Sequence, residues 1–134
     1  MELTKDEETK LIQAAMQVRK NAYAPYSNYQ VGAALMTEDG KIFTGVNVEN
    51  SSYPISMCAE RSAIFTAVGA GETHFKAIVI ATTNGGPPCG GCRQVMSEFS
   101  DQMIVITVDE TGAVRMHGPV YEILPGAFGP KNLE

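Results

Sequence analysis

AIVIATTNGGPPCGGCRQVMSEFSDQMIVITV, residues 77–108, opens and closes on apolar runs. Ala77 to Ala81 is continuously apolar, as is a strand covered on both faces, and Met103 to Val108 repeats the pattern. Between them lie a turn-rich loop, Asn84-Gly85-Gly86-Pro87-Pro88, and a helix-like segment over 89–99. Strand, helix, strand in this order predicts a right-handed parallel crossover. Working outward, residues 58–69 read as a second helix ending at Gly69. Upstream, Val31 to Thr37 and Ile42 to Val48 are strand-like around Glu38-Asp39-Gly40-Lys41, which predicts a hairpin. Thr4 and Glu7 have capping-box spacing, and Leu11, Ala15, Val18 and Ala22 recur on one face, predicting a helix over 4–22. Downstream, a turn near Gly112 leads to a weak strand at 113–116 and a short helix at 119–124. Short hairpin links force antiparallel pairs. The expected fold is α/β, a three-layer α-β-α sandwich around a mixed five-stranded sheet. At 134 residues the chain suits a single domain, 1–134, large enough to bury a core.

Composition narrows the functional classes. Hydrophobic residues make up 44% and charged residues 19%, which excludes disordered and fibrous classes. Ten Lys+Arg against fifteen Asp+Glu leave a net charge of −5, which disfavours a polynucleotide partner. No apolar run approaches the ~20 residues of a membrane span, and MELTKDEETK is too charged for a signal peptide. A cytoplasmic protein with no membrane partner is expected. Three cysteines are an odd number for a disulfide framework, so metal ligation, nucleophilic chemistry or plain burial are the readings to weigh.

Two cysteine segments concentrate the chemistry: Cys58-Ala59-Glu60-Arg61 and Pro88-Cys89-Gly90-Gly91-Cys92-Arg93. Both fall at expected helix N-termini, where the thiolate is favoured. Pro88 suits a first helical turn, and Cys89 and Cys92 at i, i+3 share a face. Three thiolates on one Zn²⁺ would leave a fourth position open, the layout of a catalytic rather than a structural site. Glu60, two residues after a ligand, would approach the water side. Metal-bound water reaches a pKa of about 7, and a neighbouring carboxylate can take its proton. Arg61 and Arg93 would withdraw some of the thiolates' charge.

Blander readings stand beside these. Cys-x-x-Cys is also a redox pair, and His74 or His117 would close a structural Cys₃His site. Glu60 alone is a first-turn carboxylate favoured by the helix dipole. Glu49 reads equally as a surface strand charge. Tyr23, Tyr26 and Tyr29 are spaced like one buried helical face, although Tyr26-Ser27-Asn28 after Pro25 reads as loop. Phe128, inside Pro125-Gly126-Ala127-Phe128-Gly129-Pro130, is an apolar residue whose loop cannot form its own core.

Cys-x-Glu followed by Pro-Cys-x-x-Cys resembles the zinc nucleobase deaminase signature. Tyr26 to Leu35 (YSNYQVGAAL), Asn47-Val48-Glu49-Asn50, Cys58 to Arg61, Cys89 to Gln94 and Leu124 to Phe128 extend the likeness to the small cytidine deaminases. The resemblance implies a homotetramer that hydrolyses cytidine and deoxycytidine to uridine and deoxyuridine in pyrimidine salvage. It implies Cys58, Cys89 and Cys92 as ligands of one zinc per chain, and Glu60 as the shuttle of protons to N3 and to the departing amino group. Asn47 and Glu49 would hold sugar hydroxyls, Tyr29 would line the base pocket, and Phe128 would reach a neighbouring subunit's site. Arg61 would offset thiolate charge. The chain departs from the pattern at Tyr29, often Phe in the family, and at Gly86-Pro87-Pro88, where a Ser commonly precedes Pro-Cys in a longer loop. A relative acting on a bulkier nucleoside and a non-catalytic zinc module remain alternatives.

Overall fold

Thr4 starts the first helix as its spacing predicts. In the computed structural model, which describes residues 2–133, α1 spans Lys5–Arg19. The Thr4 hydroxyl accepts from the Glu7 N–H at 3.1 Å, and the Glu7 carboxylate accepts from the Thr4 N–H at 3.0 Å. The helix stops three residues short of Ala22. There the chain is drawn into extended pairing, with the Tyr23 N–H on the Asn47 carbonyl and the Glu49 N–H on the Tyr23 carbonyl. That competition comes from residues distant in sequence, and no local signal announces it.

The hairpin forms from β1 (Gly32–Thr37) and β2 (Ile42–Val46), antiparallel with Gly32 opposite Val46. The remaining strands are β3 (Phe75–Ala81), β4 (Ile104–Val108) and β5 (Val114–Pro119). The sheet order is β2-β1-β3-β4-β5, with β3 and β4 parallel and every other neighbouring pair antiparallel. The expected mixed five-stranded sheet is therefore present. Helices α2 (Ala59–Gly69), α3 (Gly90–Phe99) and α4 (Val120–Ile123) complete the order. Strand β5 runs past Met116 through Gly118 to Pro119, because an edge strand tolerates residues that a central ladder does not. Two single 3₁₀ turns, Tyr53–Ile55 and Pro130–Leu133, have no counterpart in the sequence reading.

Alternation along the strands divides the core into two. Ala34, Met36, Ala77, Val79, Ala81, Ile106 and Val108 face Leu11 and Ala15 of α1. Ala33, Leu35, Ile78, Ile80 and Val105 face Ala63 and Ile64 of α2 and Cys92 and Met96 of α3. With both faces covered, the central strands need apolar residues at every position, hence the unbroken runs. At Gly45 in β2 an added Cβ would lie 2.4 Å from the Ala63 nitrogen, so only glycine lets α2 approach the sheet this closely.

This packing places the site. Gly32, Val46 and Ala81 share one end of the sheet through the β1 pairings. From that end the chain runs on to Asn47 through Cys58 and to Thr82 through Cys89, so both cysteine segments emerge together. The position, outside the carboxyl end of a parallel strand, is where open α/β sheets usually bind ligands.

Candidate functional site

Cys58 caps α2 and Cys89 caps α3, both in extended backbone, while Cys92 sits within the first turn of α3. Pro88 therefore precedes the cap and is not in the first helical turn. As a cap, Cys89 turns its sulfur over the helix mouth, where it accepts the Cys92 N–H at 3.4 Å. The three sulfurs lie within 4.8 Å of one another. Tetrahedral zinc with Zn–S bonds of about 2.3 Å separates its sulfurs by roughly 3.8 Å, so the cluster fits that ion. Among the described residues neither histidine joins the cluster. His74 lies 3.4 Å from Thr73, and His117 lies 3.4 Å from Glu8 of α1. The closed Cys₃His reading is thereby removed, and a two-cysteine redox pair leaves the third sulfur unexplained.

Hydrogen bonding from Cys92 lowers the Cys58 thiol to about 6, against the opposing effect of burial. Cys92 is pushed up, first by its bond to Cys58 and then by burial. Arg61 is held still more firmly protonated, chiefly through its bond to Cys92. Its guanidinium crosses Gly91, where an added Cβ would meet Nη2 at 2.3 Å. Arg93, expected to act similarly, is engaged elsewhere. Its Nε donates to the Pro88 carbonyl at 2.8 Å and its Nη1 to the Ile123 carbonyl at 2.9 Å, tying α3 to α4.

Glu60 is 6% exposed, and burial pushes its carboxyl upward against the smaller pull of its own N–H, Cys92 and Arg61. A carboxylate favoured only by the helix dipole would lie in solvent. This one lines a cleft of about 340 Å³ together with Cys58, Cys89, Tyr29, Asn47 and Glu49. A roomier cleft of about 430 Å³, between the last turn of α1 and Asp109, contains neither a thiol nor a histidine.

The sugar-side candidates are less free than the sequence suggests. The Asn47 amide accepts the Val31 N–H at 2.9 Å and donates to the Tyr29 carbonyl at 2.8 Å. Glu49 accepts the Tyr26 and Ser27 N–H groups at 2.9 and 3.1 Å, and also the Ser27 hydroxyl. The Ser27 contacts, hydroxyl first, hold its carboxyl below the usual range. Glu49 is thus not a plain surface charge. The three tyrosines do not form a core face: Tyr23, Tyr26 and Tyr29 are exposed on a loop that turns through Asn28 at φ +58°.

Phe128 is not brought to this cleft. It is 59% exposed in a separate hollow shared with Phe99, Tyr121 and Leu124, and its carbonyl accepts from Gln94 Nε2 at 2.8 Å. Sequence reasoning passed over Ser27 and Asn84. Ser27 sits inside a quoted motif and was available, whereas Asn84 meets the Tyr29 hydroxyl across 55 residues and carries no local signal.

Residues 5–108 match the family described as the cytidine and deoxycytidylate deaminase zinc-binding region. The chain is 43% identical over 126 residues to the cytidine deaminase of Sporosarcina psychrophila, covering 92% of this chain and 93% of that one. It is 42% identical to a probable cytidine deaminase of Dictyostelium discoideum, covering 98% and 90%. The crystal structure of cytidine deaminase from Burkholderia pseudomallei superposes with a TM-score of 0.85 at 48% identity, over 90% of this chain and 98% of that one.

Proposed function

This chain belongs to the cytidine and deoxycytidylate deaminase zinc-binding family, and on that premise we propose that it hydrolyses cytidine and deoxycytidine, releasing ammonia. One observation carries the reading: a buried carboxylate, Glu60, shares a cleft with a three-sulfur cluster that fits zinc. Cys58, Cys89 and Cys92 would hold the metal, which would supply a Lewis acid able to bring the pKa of water to about 7. Glu60 does the proton work. It takes a proton from the attacking water and hands it to N3 of the cytosine ring, then takes the remaining proton of the new C4 hydroxyl and passes it to the amino group, which leaves as ammonia while the C4 carbonyl forms. Its burial supports this cycle, because desolvation raises the carboxyl and makes it a better proton acceptor than an exposed carboxylate. Arg61 spreads the thiolates' charge. The cleft orients the base against Glu60 and the sulfur cluster. Loss of ultraviolet absorbance from cytidine, with stoichiometric ammonia, tests the proposal; a zinc-loaded protein inert on every pyrimidine nucleoside would leave only a binding module.

The sugar end favours free nucleosides over nucleotides. Asn47 and Glu49 are suited to hydroxyls, and the loop donors leave part of the Glu49 carboxylate for one. A hydrogen bond to a charged group is worth roughly 1.5–3 kcal/mol, so Glu49→Gln should lower kcat/KM for cytidine about 10–150-fold. A 5′-phosphate would meet the same carboxylate and be repelled. Cytidine monophosphate reacting as well as cytidine would remove Glu49 from this role.

The active form is a homotetramer in this reading. Tyr53, Ile55, Phe65 and Phe128 are large apolar side chains left exposed on one chain, which supports association. The 125–130 loop would cross to a neighbour and lay Phe128 over its base, stacking worth ~0.5–1.5 kcal/mol beyond buried area. Phe128→Ala should then raise KM while leaving zinc content unchanged, and light scattering that finds a fully active monomer would refute the shared site. Residues 1–134 act as one catalytic domain, and three free thiols in one cluster suit the reducing cytoplasm. No helix among the described residues is long and apolar enough to cross a membrane.

A further inference from the structure

Tyr29 and the Gly86-Pro87-Pro88 loop are the two places where this chain departs from the pattern it resembles, and they touch. The Tyr29 hydroxyl lies 2.7 Å from Asn84 Oδ1. That oxygen also receives the Gly86 N–H at 3.2 Å. Because a backbone N–H only donates, the amide atom at this hub is the oxygen, and the Tyr29 O–H is the donor. The space is cut to this hydroxyl: a Cβ at Gly86 would sit 3.2 Å from the Tyr29 oxygen and 3.4 Å from Asn84 Oδ1.

The hub belongs to a larger bolt on the loop. Thr82 Oγ1 accepts the Gly85 and Gly86 N–H groups at 2.7 and 3.2 Å. Thr107 of β4 donates to the Gly85 carbonyl at 2.9 Å, so the loop's base is fastened to the sheet. From Gly86 the chain has only two residues, Pro87 and Pro88, before Cys89, and proline holds φ near −65° in both. Little freedom is left to absorb a shift at Gly86. Tyr29 is fastened from its other side as well, since its carbonyl takes the Asn47 amide at 2.8 Å. Pro87 and Tyr29 both line the cleft that holds Cys89 and Glu60.

We infer that the Tyr29 hydroxyl and Asn84 form a latch between the cleft's aromatic wall and the loop that delivers Cys89. Tyr29 and Asn84 are positioning residues: one bond sets both the width of the base slot and the placement of a metal ligand. The inference rests on the deaminase reading for its substrate. Its metal half stands on the sulfur cluster alone.

Tyr29→Phe deletes a single oxygen and keeps the ring. KM for cytidine should rise about threefold to tenfold, the size of one neutral hydrogen bond, with kcat changed less. Zinc should pass to a chromogenic chelator faster by a similar factor. Asn84→Ala also strips the acceptor from the Gly86 N–H, so its effect should be at least as large, and the double variant should be no worse than Asn84→Ala alone, because the tyrosine bond is already gone there. Asn84→Asp keeps an acceptor oxygen and should restore near-normal KM. A Tyr29→Phe enzyme within about twofold of wild type on both KM and zinc release, or effects that multiply in the double variant, would overturn the latch. Should the wild-type enzyme not turn over cytidine, the deaminase reading fails. The chelator measurements across the four proteins would still decide the latch.

Discussion

Replacing Glu60 with Gln should lower cytidine turnover by at least ~10²–10⁴-fold while zinc content and fold stay as they are. The lower bound is what one general acid–base group contributes. Glu60 carries more than one transfer, so the loss belongs at or beyond the upper end. Its position allows the clean separation of chemistry from folding: among the described residues it makes no salt bridge, and it is buried in the first turn of α2 beside Cys58. Glutamine matches its shape and relieves the cost of burying a charge. Thermal stability should therefore hold or rise slightly, whereas kcat collapses. An amide variant within about tenfold of wild type would remove Glu60 from the proton cycle.

Cys89→Ala should abolish zinc retention and activity together. Cys89 is the exposed member of the cluster and caps α3 through the Cys92 N–H, so the substitution opens no core cavity. What it removes is one of three ligands, and two thiolates no longer hold the metal against dialysis. Without a Lewis acid the pKa of water returns from about 7 to 15.7, so activity should fall at least as far as in Glu60→Gln. The two variants differ in one readout: elemental analysis finds zinc in the glutamine variant and none in the alanine variant. Because bound metal stabilises only the folded state, Cys89→Ala should also lower Tm, and chelation of the wild-type protein should reproduce that shift. A gently purified wild-type protein that turns over cytidine without zinc would end the metal assignment.

What each level of description determined follows from the range of the forces involved. Local rules were legible: the Thr4–Glu7 capping box, the hairpin over Glu38 to Lys41, and the parallel crossover over 77–108 all form where their spacing placed them. The cysteine pair of segments was legible too, because cap positions and an i, i+3 spacing are set within a few residues. Convergence of the three sulfurs was expected as well, but the 4.8 Å that separates them is set by the tertiary structure, where the pairing of β1 with β3 brings the two segments to one end of the sheet. The same holds for the end of α1, pulled away at Tyr23 by Asn47 and Glu49, and for Arg93, whose partner Ile123 lies 30 residues on. Phe128 marks the limit in the other direction. Its resemblance to a pocket residue is read from the chain, yet one chain leaves it exposed and apart from the cleft. Sequence alone determined which residues carry chemistry, because thiols, a carboxylate and helix starts are local properties. Tertiary structure decided which of them meet, which are already committed to the backbone, and which solvent is kept from, because burial and long-range hydrogen bonds exist only once the sheet has closed.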